Sequence, residues 1–211
     1  MSEITFNGST LILPSVSMGS VPQSTIDIII ATLKLNRVGY LESAFVEPIS
    51  GPLGLKHLPN KRCHPLEIYQ TQDRKYTFMQ QRSHTLKNSA NELVDDIVKF
   101  IEKSGFEQII LLSSADADYR RDEQIQGSPI QVLSCSDASA KLLAKKLEAL
   151  NLNSKPISIN QKKDNEEKAN IDGFPEDHIH GAGITLPLVK RIRQTNIPAN
   201  IILTFSFSTG K

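Results

Sequence analysis

A short, mostly apolar strand followed by an amphipathic helix, between residues 10 and 33, constrains the fold of this 211-residue chain more than any other segment. Pro14 ends the strand, because proline cannot donate to a sheet ladder. Pro22 suits the first turn of a helix. One face of that helix carries apolar residues at the i, i+3, i+4 and i+7 spacing: Ile26, Ile29, Ile30 and Leu33. A strand, a bend and a helix in this order predict an α/β protein.

Strands and helices continue to alternate along the chain. Further strands are predicted at residues 38–46, 66–69, 76–79, 108–112, 130–133 and 201–207. Further helices are predicted from a capping box at Ser89 and Glu92 to Gly105, from a cap at Asp137 to Leu150, and through Ile184, Leu188 and Ile192. The polar turn after residue 69 predicts an antiparallel hairpin of two half-buried strands. We therefore predict one three-layer α/β domain over residues 1–211, with a mixed β-sheet flanked by helices.

Two long segments interrupt this pattern. Residues 48–65 are rich in proline and glycine, and residues 160–180 are charged and poor in apolar side chains. Long connections of this kind are either binding loops or flexible insertions. We predict flexible loops at both places.

Charge and cysteine content exclude several classes of protein. Lys and Arg number 24 against 23 Asp and Glu, whereas nucleic-acid-binding domains usually carry a basic excess. The longest aliphatic run, residues 109–112, is far shorter than a membrane span, and the N-terminus has no signal-peptide pattern. Two cysteines are too few for a disulfide framework. We predict an intracellular protein that binds neither nucleic acid nor membrane.

Candidate catalytic and metal-binding residues have simpler explanations. Asp177, His178 and His180 could meet Cys63 and His64 at a zinc ion, but the spacing is unusual and solvated loop histidines are favoured. No nucleophile elbow is present, so we expect no catalytic residue, metal or cofactor.

Two further groups of residues leave an alternative open. Ser113 and Ser114 follow a strand, where α/β sheets place ligands, although small hydroxyl residues often bond nearby backbone instead. Gly181 and Gly183 precede a helix, where free N–H groups can bind an anion or glycine can allow close packing. Lys190 on that helix belongs to a basic strip that is either solvated or contacts an acidic partner.

Several segments carry a family resemblance. They are residues 13–23, 27–30 and 38–41, then Gln80-Gln81-Arg82, residues 111–115 and residues 181–185. In this order they resemble the proteasome assembly chaperone 2 family. The resemblance implies a non-enzymatic fold related to purine nucleoside phosphorylases. It also implies a cytoplasmic and nuclear chaperone that pairs with a homologous assembly chaperone, binds α-type subunits and promotes formation of the 20S α-ring.

The resemblance also implies partner-binding residues, namely Pro14, Val16, Ser17, Gly19, Gln81, Arg82, Lys190 and Arg191. The family's chains continue past the last strand into a helix and tail, whereas this sequence stops at Lys211. We therefore expect the partner to supply tail docking, or this chain to be shortened and less soluble. The enzyme alternative is a nucleoside phosphorylase or hydrolase with a cleft near Ser113, Asp116 and Gly183.

Overall fold

The computed structural model describes residues 5–120, 129–135, 139–141, 157–158 and 179–207. Its strands are β1 (Thr10–Pro14), β2 (Asn36–Tyr40), β3 (Leu66–Gln70), β4 (Tyr76–Gln81), β5 (Gln108–Asp116), β6 (Ile130–Ser134), β7 (Ile157–Ser158) and β8 (Ala199–Ser206). Its helices are α1 (Val21–Thr32), α2 (Ala90–Ser104) and α3 (Thr185–Ile192). None of the described helices is both long and apolar enough to cross a membrane.

The described strands form one mixed sheet in the order β2-β3-β4-β1-β5-β8-β6-β7. Strands β4, β1, β5 and β8 run parallel in its centre. The β2–β3, β3–β4 and β6–β8 pairs are antiparallel. The carboxyl ends of the central parallel strands therefore meet at one edge of the sheet, which we call the carboxyl edge.

Helices cover both faces of the sheet. Leu11 and Leu13 pack in the larger core, which contains the apolar faces of α2 and α3. Ile12 points the other way and packs in the smaller core with Ile26 and Ile30 of α1. Alternate residues of a strand face opposite sides, so these contacts define three layers. The predicted α/β class with a mixed sheet flanked by helices is confirmed.

The opening strand and helix lie where the sequence predicts them, with one correction. Ile26 and Ile30 are fully buried, but Leu33 is 56% exposed. The reason is that α1 ends at Thr32, and Leu33 caps it before Lys34 turns the chain with a positive φ of 49°. The i+7 position therefore falls outside the helix.

The start of α2 corrects a second prediction. Ser89 occupies the N-cap position, but its side chain makes no capping hydrogen bond, so the predicted capping box with Glu92 is absent. Instead, the Leu93 amide donates to the Ser89 carbonyl at 3.1 Å. Gly105 ends the helix in the left-handed conformation with φ of 68°, as predicted.

Strand limits also differ from the prediction. The strand expected over residues 38–46 is β2, which ends at Tyr40 and contains a register shift after Arg37. Strand β5 continues through Ser113 and Ser114 to Asp116. The hairpin of β3 and β4 is antiparallel as predicted, but nearly every residue of its two strands is buried, because the sheet has a helix layer on each face. Of the helix predicted from Asp137 to Leu150, only residues 139–141 are described, and they are helical; residues 160–178 lie outside the described residues.

Candidate functional site

A cavity of about 350 Å³ lies at the carboxyl edge of the sheet, between the start of α1, the end of β4 and the loop of residues 48–65. It is lined by Val16, Ser20, Gln23, Asp27, Ile49, Pro52, Leu53, Cys63, Gln80, Gln81, Arg82, Ser83 and His84. Ser113, Asp116 and Gly183, the residues of the predicted enzymatic cleft, do not line this cavity.

Beside the cavity, the loop between β1 and α1 is locked to the loop that precedes α3. The Ser15 hydroxyl donates to the Ala182 carbonyl at 2.7 Å, and the Met18 amide donates to the Gly181 carbonyl at 2.8 Å. Gly183 has a φ of +59°, and a Cβ added there would collide with the Val16 carbonyl oxygen. The glycine therefore serves close packing of two backbones, one of the two roles that the sequence left open.

The serines at the end of β5 tie the same loops to the sheet. The Ser114 amide donates to the Ser17 hydroxyl at 3.0 Å, and the Ser114 hydroxyl donates to the Met18 carbonyl. Ser113 is 1% exposed, and its hydroxyl lies 2.6 Å from that of Thr185. Ser114 therefore bonds backbone, as the sequence interpretation had it, but its partner Met18 lies in the β1–α1 loop, far away in the chain. Ser113 bonds a side chain of α3 instead.

Asp116 ends β5 with a local turn. Its carboxylate accepts from the Asp118 amide at 3.0 Å, and its own amide donates to the His180 carbonyl at 2.8 Å. Ser113, Asp116 and Gly183 are thus each engaged in packing or hydrogen bonds within the described part of the chain.

A buried charge network lies next to the cavity. Glu67 is 0% exposed and accepts hydrogen bonds from Arg37 at 2.7 Å, from the Tyr69 hydroxyl at 2.8 Å and from the Arg82 guanidinium. Arg82 also pairs with Asp27 of α1 at 3.0 Å. The buried Glu67 carboxylate is thus paired with two guanidiniums, as a buried charge requires, whereas the Asp27 side chain is partly exposed.

These contacts shift two pKa values. Burial raises the pKa of the Tyr69 hydroxyl above its ordinary value, and the charge of Glu67 adds to this shift while Arg82 opposes it. For Arg82, burial acts to lower the pKa, but its bonds to Tyr69 and Glu67 and the charges of Glu67 and Asp27 outweigh burial and raise it. Arg82 is therefore charged at every accessible pH.

The network also fixes the loop of residues 48–65. Arg37 donates to the Arg62 carbonyl at 2.6 Å, and Glu67 accepts from the His64 amide at 3.0 Å. Pro52 and Arg62 form an isolated antiparallel bridge within this loop. One wall of the cavity thus depends on a charge network centred in β3.

Within the described part of the chain, Oδ1 of Asp27 has only its ion pair with Arg82, and three further oxygen atoms of cavity-lining residues have neither a hydrogen-bond nor an ion-pair partner. They are Oε1 of Gln23, Oε1 of Gln80 and Oγ of Ser83. The orientation of the Gln80 amide is fixed, because its Nε2 donates to the Gln23 carbonyl at 3.0 Å. Buried polar atoms in proteins are nearly always paired, so three unpaired oxygens around one cavity are unusual.

The structure brings together most of the predicted partner-binding residues. Val16, Gln81 and Arg82 line the cavity, and Ser17 and Gly19 lie in the β1–α1 loop beside Val16. Gln81 is 2% exposed.

Two of these residues have structural contacts of their own. Pro14 is buried at the end of β1. Gly19 has a φ of +67°, and a Cβ there would collide with the Ser206 hydroxyl.

The basic strip lies elsewhere. Lys190 and Arg191 are exposed on α3, which packs with α2 on the other face of the sheet from α1. Arg191 pairs with Asp95 of α2 at 2.9 Å. The cavity and the basic strip are therefore separate surfaces.

His64, His180 and Cys135 do not line the cavity. His64 stacks on Tyr40 at 4.4 Å between ring centres, and His180 stacks on Tyr119 at 4.1 Å. Burial raises the pKa of the Cys135 thiol to about 11, which suppresses thiolate formation. Among the described residues no group of three possible metal ligands occurs. Asp177 and His178 lie outside them.

Sequence reasoning missed the charge network. Glu67 alternates with apolar residues in a strand that the sequence predicts to be half-buried, and no pattern in the sequence singles out Arg37. One signal was present: a carboxylate within the hairpin and an arginine directly after it, at Arg82. The pairing register, with Glu67 opposite Gln80, brings them together.

Comparison with known proteins gives a consistent result. The profile of the PAC2 family matches residues 11–208. Proteasome assembly chaperone 2 of Nematostella vectensis is 29% identical over 212 residues, covering 97% of this chain and 84% of the relative. Proteasome assembly chaperone 2 of Xenopus laevis is 33% identical over 175 residues, covering 78% of this chain and 65% of the relative.

A solved structure shares the fold. Pyrococcus furiosus PbaA, an archaeal homolog of proteasome-assembly chaperone, superposes with a TM-score of 0.66 at 16% identity, over 98% of this chain and 76% of PbaA. At this identity the likeness concerns the fold alone.

Proposed function

The chain belongs to the PAC2 family, as the sequence resemblance predicted, and from this premise we propose that it is an assembly chaperone of the 20S proteasome. It acts by binding other proteins, without catalysis and without a cofactor. The observation that carries this proposal is the match of the family profile to nearly the whole chain, together with relatives named proteasome assembly chaperone 2.

The proposed partners are a homologous assembly chaperone and α-type proteasome subunits. The chain forms a heterodimer with the first, and the pair covers surfaces of the second until the α-ring is complete. Binding to one assembly state lowers the free energy of that state by an amount set by the difference in affinity between states. Off-pathway association is then disfavoured by mass action. We place this activity in the cytoplasm and nucleus.

The geometry of the carboxyl edge supports binding over catalysis. Hydroxyls that a nucleophilic mechanism would need are engaged: Ser113 with Thr185, and Ser114 with Ser17 and Met18. The helix that could bind an anion at its start is preceded by Gly183, whose Cβ direction is occupied by the Val16 backbone. An enzyme with a cleft at these residues would have to separate the two loops first.

We propose two separate contact surfaces. The first contains the exposed Gly19 and Ser20 of the β1–α1 loop and the adjacent Arg82, with Pro14, Val16, Ser17 and Gln81 holding that loop and strand in position. The second is the strip of Lys190 and Arg191, which suits an acidic surface. Two partners can then be contacted at once, as a heterodimer on a proteasome subunit requires.

Affinity purification of the tagged chain from cells tests this proposal. We expect recovery of α-type subunits together with one homologous chaperone. The double variant K190E/R191E should lose one partner class and keep the other. The matched control K99E/K103E changes exposed lysines on α2 and should lose neither. Recovery of neither partner by the unchanged chain would refute the chaperone function.

An enzymatic assay tests the alternative. Purified protein is incubated with purine and pyrimidine nucleosides, with and without inorganic phosphate, and free base is measured. We expect no turnover. Base release that disappears in Ser113→Ala or Asp116→Asn would establish the phosphorylase or hydrolase in place of the chaperone.

A further inference from the structure

We propose that the cavity at the carboxyl edge binds an arginine side chain presented by a partner protein. The cavity measures about 350 Å³, enough for one long side chain with part of its backbone. The identity of the donor as a partner protein rests on the proposed function, whereas the preference for a guanidinium rests on the cavity itself.

The unpaired acceptor oxygens determine which kind of chemical group the cavity binds best. Gln80 is 1% exposed and Ser83 is 8% exposed, and each has an oxygen without a hydrogen-bond partner among the described residues. Oε1 of Gln23 is a third such atom. Amide oxygens only accept hydrogen bonds, so the missing partner must donate. Gln23 is the least buried of the three residues, and we expect its side chain to turn toward the incoming group.

Among groups that can donate hydrogen bonds to the cavity, the charge of its lining residues favours a cation. Asp27 lines the cavity, and its side chain is 42% exposed. Arg82, the cation beside it, is already held by Glu67 and Asp27. An anion would meet the Asp27 carboxylate and the amide oxygens of Gln23 and Gln80, all repulsive to it, and only the Ser83 hydroxyl could donate to it. A guanidinium meets the same groups as partners and offers five N–H donors in a fixed plane.

The apolar part of the wall fits the stem of an arginine. Ile49, Pro52 and Leu53 come from the loop of residues 48–65 and line the cavity together with the polar residues. Ile49 is 39% exposed, so this wall reaches the surface. The three methylenes of arginine can pack there while the head group reaches the acceptors.

A residue of a protein is favoured over the free amino acid. Free arginine carries an α-carboxylate, which needs a cationic or N–H partner of its own. Arg82 is occupied by two carboxylates, so it does not serve this purpose. A residue within a peptide chain has no such carboxylate.

Titration of the purified full chain with small probes tests the proposal. Nα-acetyl-arginine methylamide is added and binding is followed by NMR, including the side-chain amide signals of Gln23 and Gln80. We expect saturable shifts of these signals. Free L-arginine should bind more weakly, and the neutral isostere Nα-acetyl-citrulline methylamide more weakly still. Equal binding of citrulline, stronger binding of free arginine, or displacement of the probe by inorganic phosphate would each overturn the proposal.

Variants locate the site. Asp27→Asn should weaken binding of the arginine probe about fivefold, as expected for a half-exposed ion pair. Asp95→Asn is the matched control, because Asp95 has similar exposure and also pairs with an arginine, at 2.9 Å. Ser83→Ala removes a hydroxyl that has no hydrogen-bond partner among the described residues, so it should fold normally and still weaken binding. Equal affinities in all three variants would contradict the assignment of the cavity.

Failure of this proposal is distinguishable from failure of the chaperone function. If the probe does not bind but α-type subunits are recovered from cells, only the arginine site is wrong. If the probe binds but no proteasome subunit is recovered, the cavity serves a different partner.

Discussion

Two neighbouring regions of the carboxyl edge use polar groups in opposite ways. At the junction of the β1–α1 loop with the loop before α3, serine hydroxyls and backbone groups are paired, and Gly183 lets the chains touch. In the cavity a few residues away, Gln23, Gln80 and Ser83 keep unpaired oxygens within the described structure. The hydrogen bonds of the junction stabilise the fold. The unpaired oxygens of the cavity lower its stability and remain available to bind a partner.

The largest expected effect concerns the charge network that supports the cavity. Glu67→Gln leaves Arg37 and Arg82 with one fewer buried counter-charge, each with its side chain only 14% exposed. We expect a loss of about 3 kcal/mol in the free energy of unfolding. Urea denaturation measures it. Glu102→Gln, at an exposed position on α2, should stay within about 0.5 kcal/mol of the unchanged chain. A similar small loss in E67Q would mean that the network contributes little.

Gly183→Ala tests the junction between the β1–α1 loop and the loop that precedes α3. The added Cβ collides with the Val16 carbonyl and strains a residue at positive φ, so we expect about 2–3 kcal/mol of destabilisation. Gly8→Ala separates the two causes, because Gly8 also has positive φ but no atom within 4 Å of its Cβ position. That control should lose about 1 kcal/mol. Equal losses in both variants would show that the two loops separate without penalty.

The pH dependence of the free energy of unfolding at alkaline pH tests the charge network around Glu67 independently. The pKa of Tyr69 is raised in the folded chain, so the unfolded chain releases this proton at lower pH. Its contribution to stability is therefore complete below about pH 10 and declines above it. We expect the unchanged chain to lose up to about 1.4 kcal/mol per pH unit more than Tyr69→Phe in that range. Parallel stability curves from about pH 9 to pH 11 would argue that Tyr69 ionises freely in the folded state.

The smallest expected effect concerns an exposed ion pair, which serves as the reference for the buried charge network. Arg191 and Asp95 form an ion pair with side chains 47% and 40% exposed. Arg191→Gln should lower the free energy of unfolding by at most about 0.5 kcal/mol, and less at high salt. Urea denaturation at low and high ionic strength measures this. A loss as large as that of E67Q would remove the distinction between buried and exposed charges in this chain.

Much of the fold could be predicted from local pattern. The helix of residues 21–32 was evident from apolar spacing, and the end of α2 from Gly105. The exposed Leu33 and the unused cap at Ser89 could not be foreseen, because they depend on where a helix stops and how the chain enters it. The partner residues Val16, Gln81 and Arg82 came from family resemblance, and their meeting at one cavity came from the structure.

The amino-acid sequence by itself determined the class of the fold and the alternation of strands and helices, because these follow from side-chain spacing within a few residues of each other. It also determined the family, through an ordered set of segments that resemble it. Tertiary structure alone decided that Glu67 is buried between two arginines, that Gly183 packs on Val16 and that three oxygens around the cavity lack partners among the described residues. The reason is physical: burial, charge pairing and close packing depend on residues far apart in the chain, and the pairing of strands brings them together.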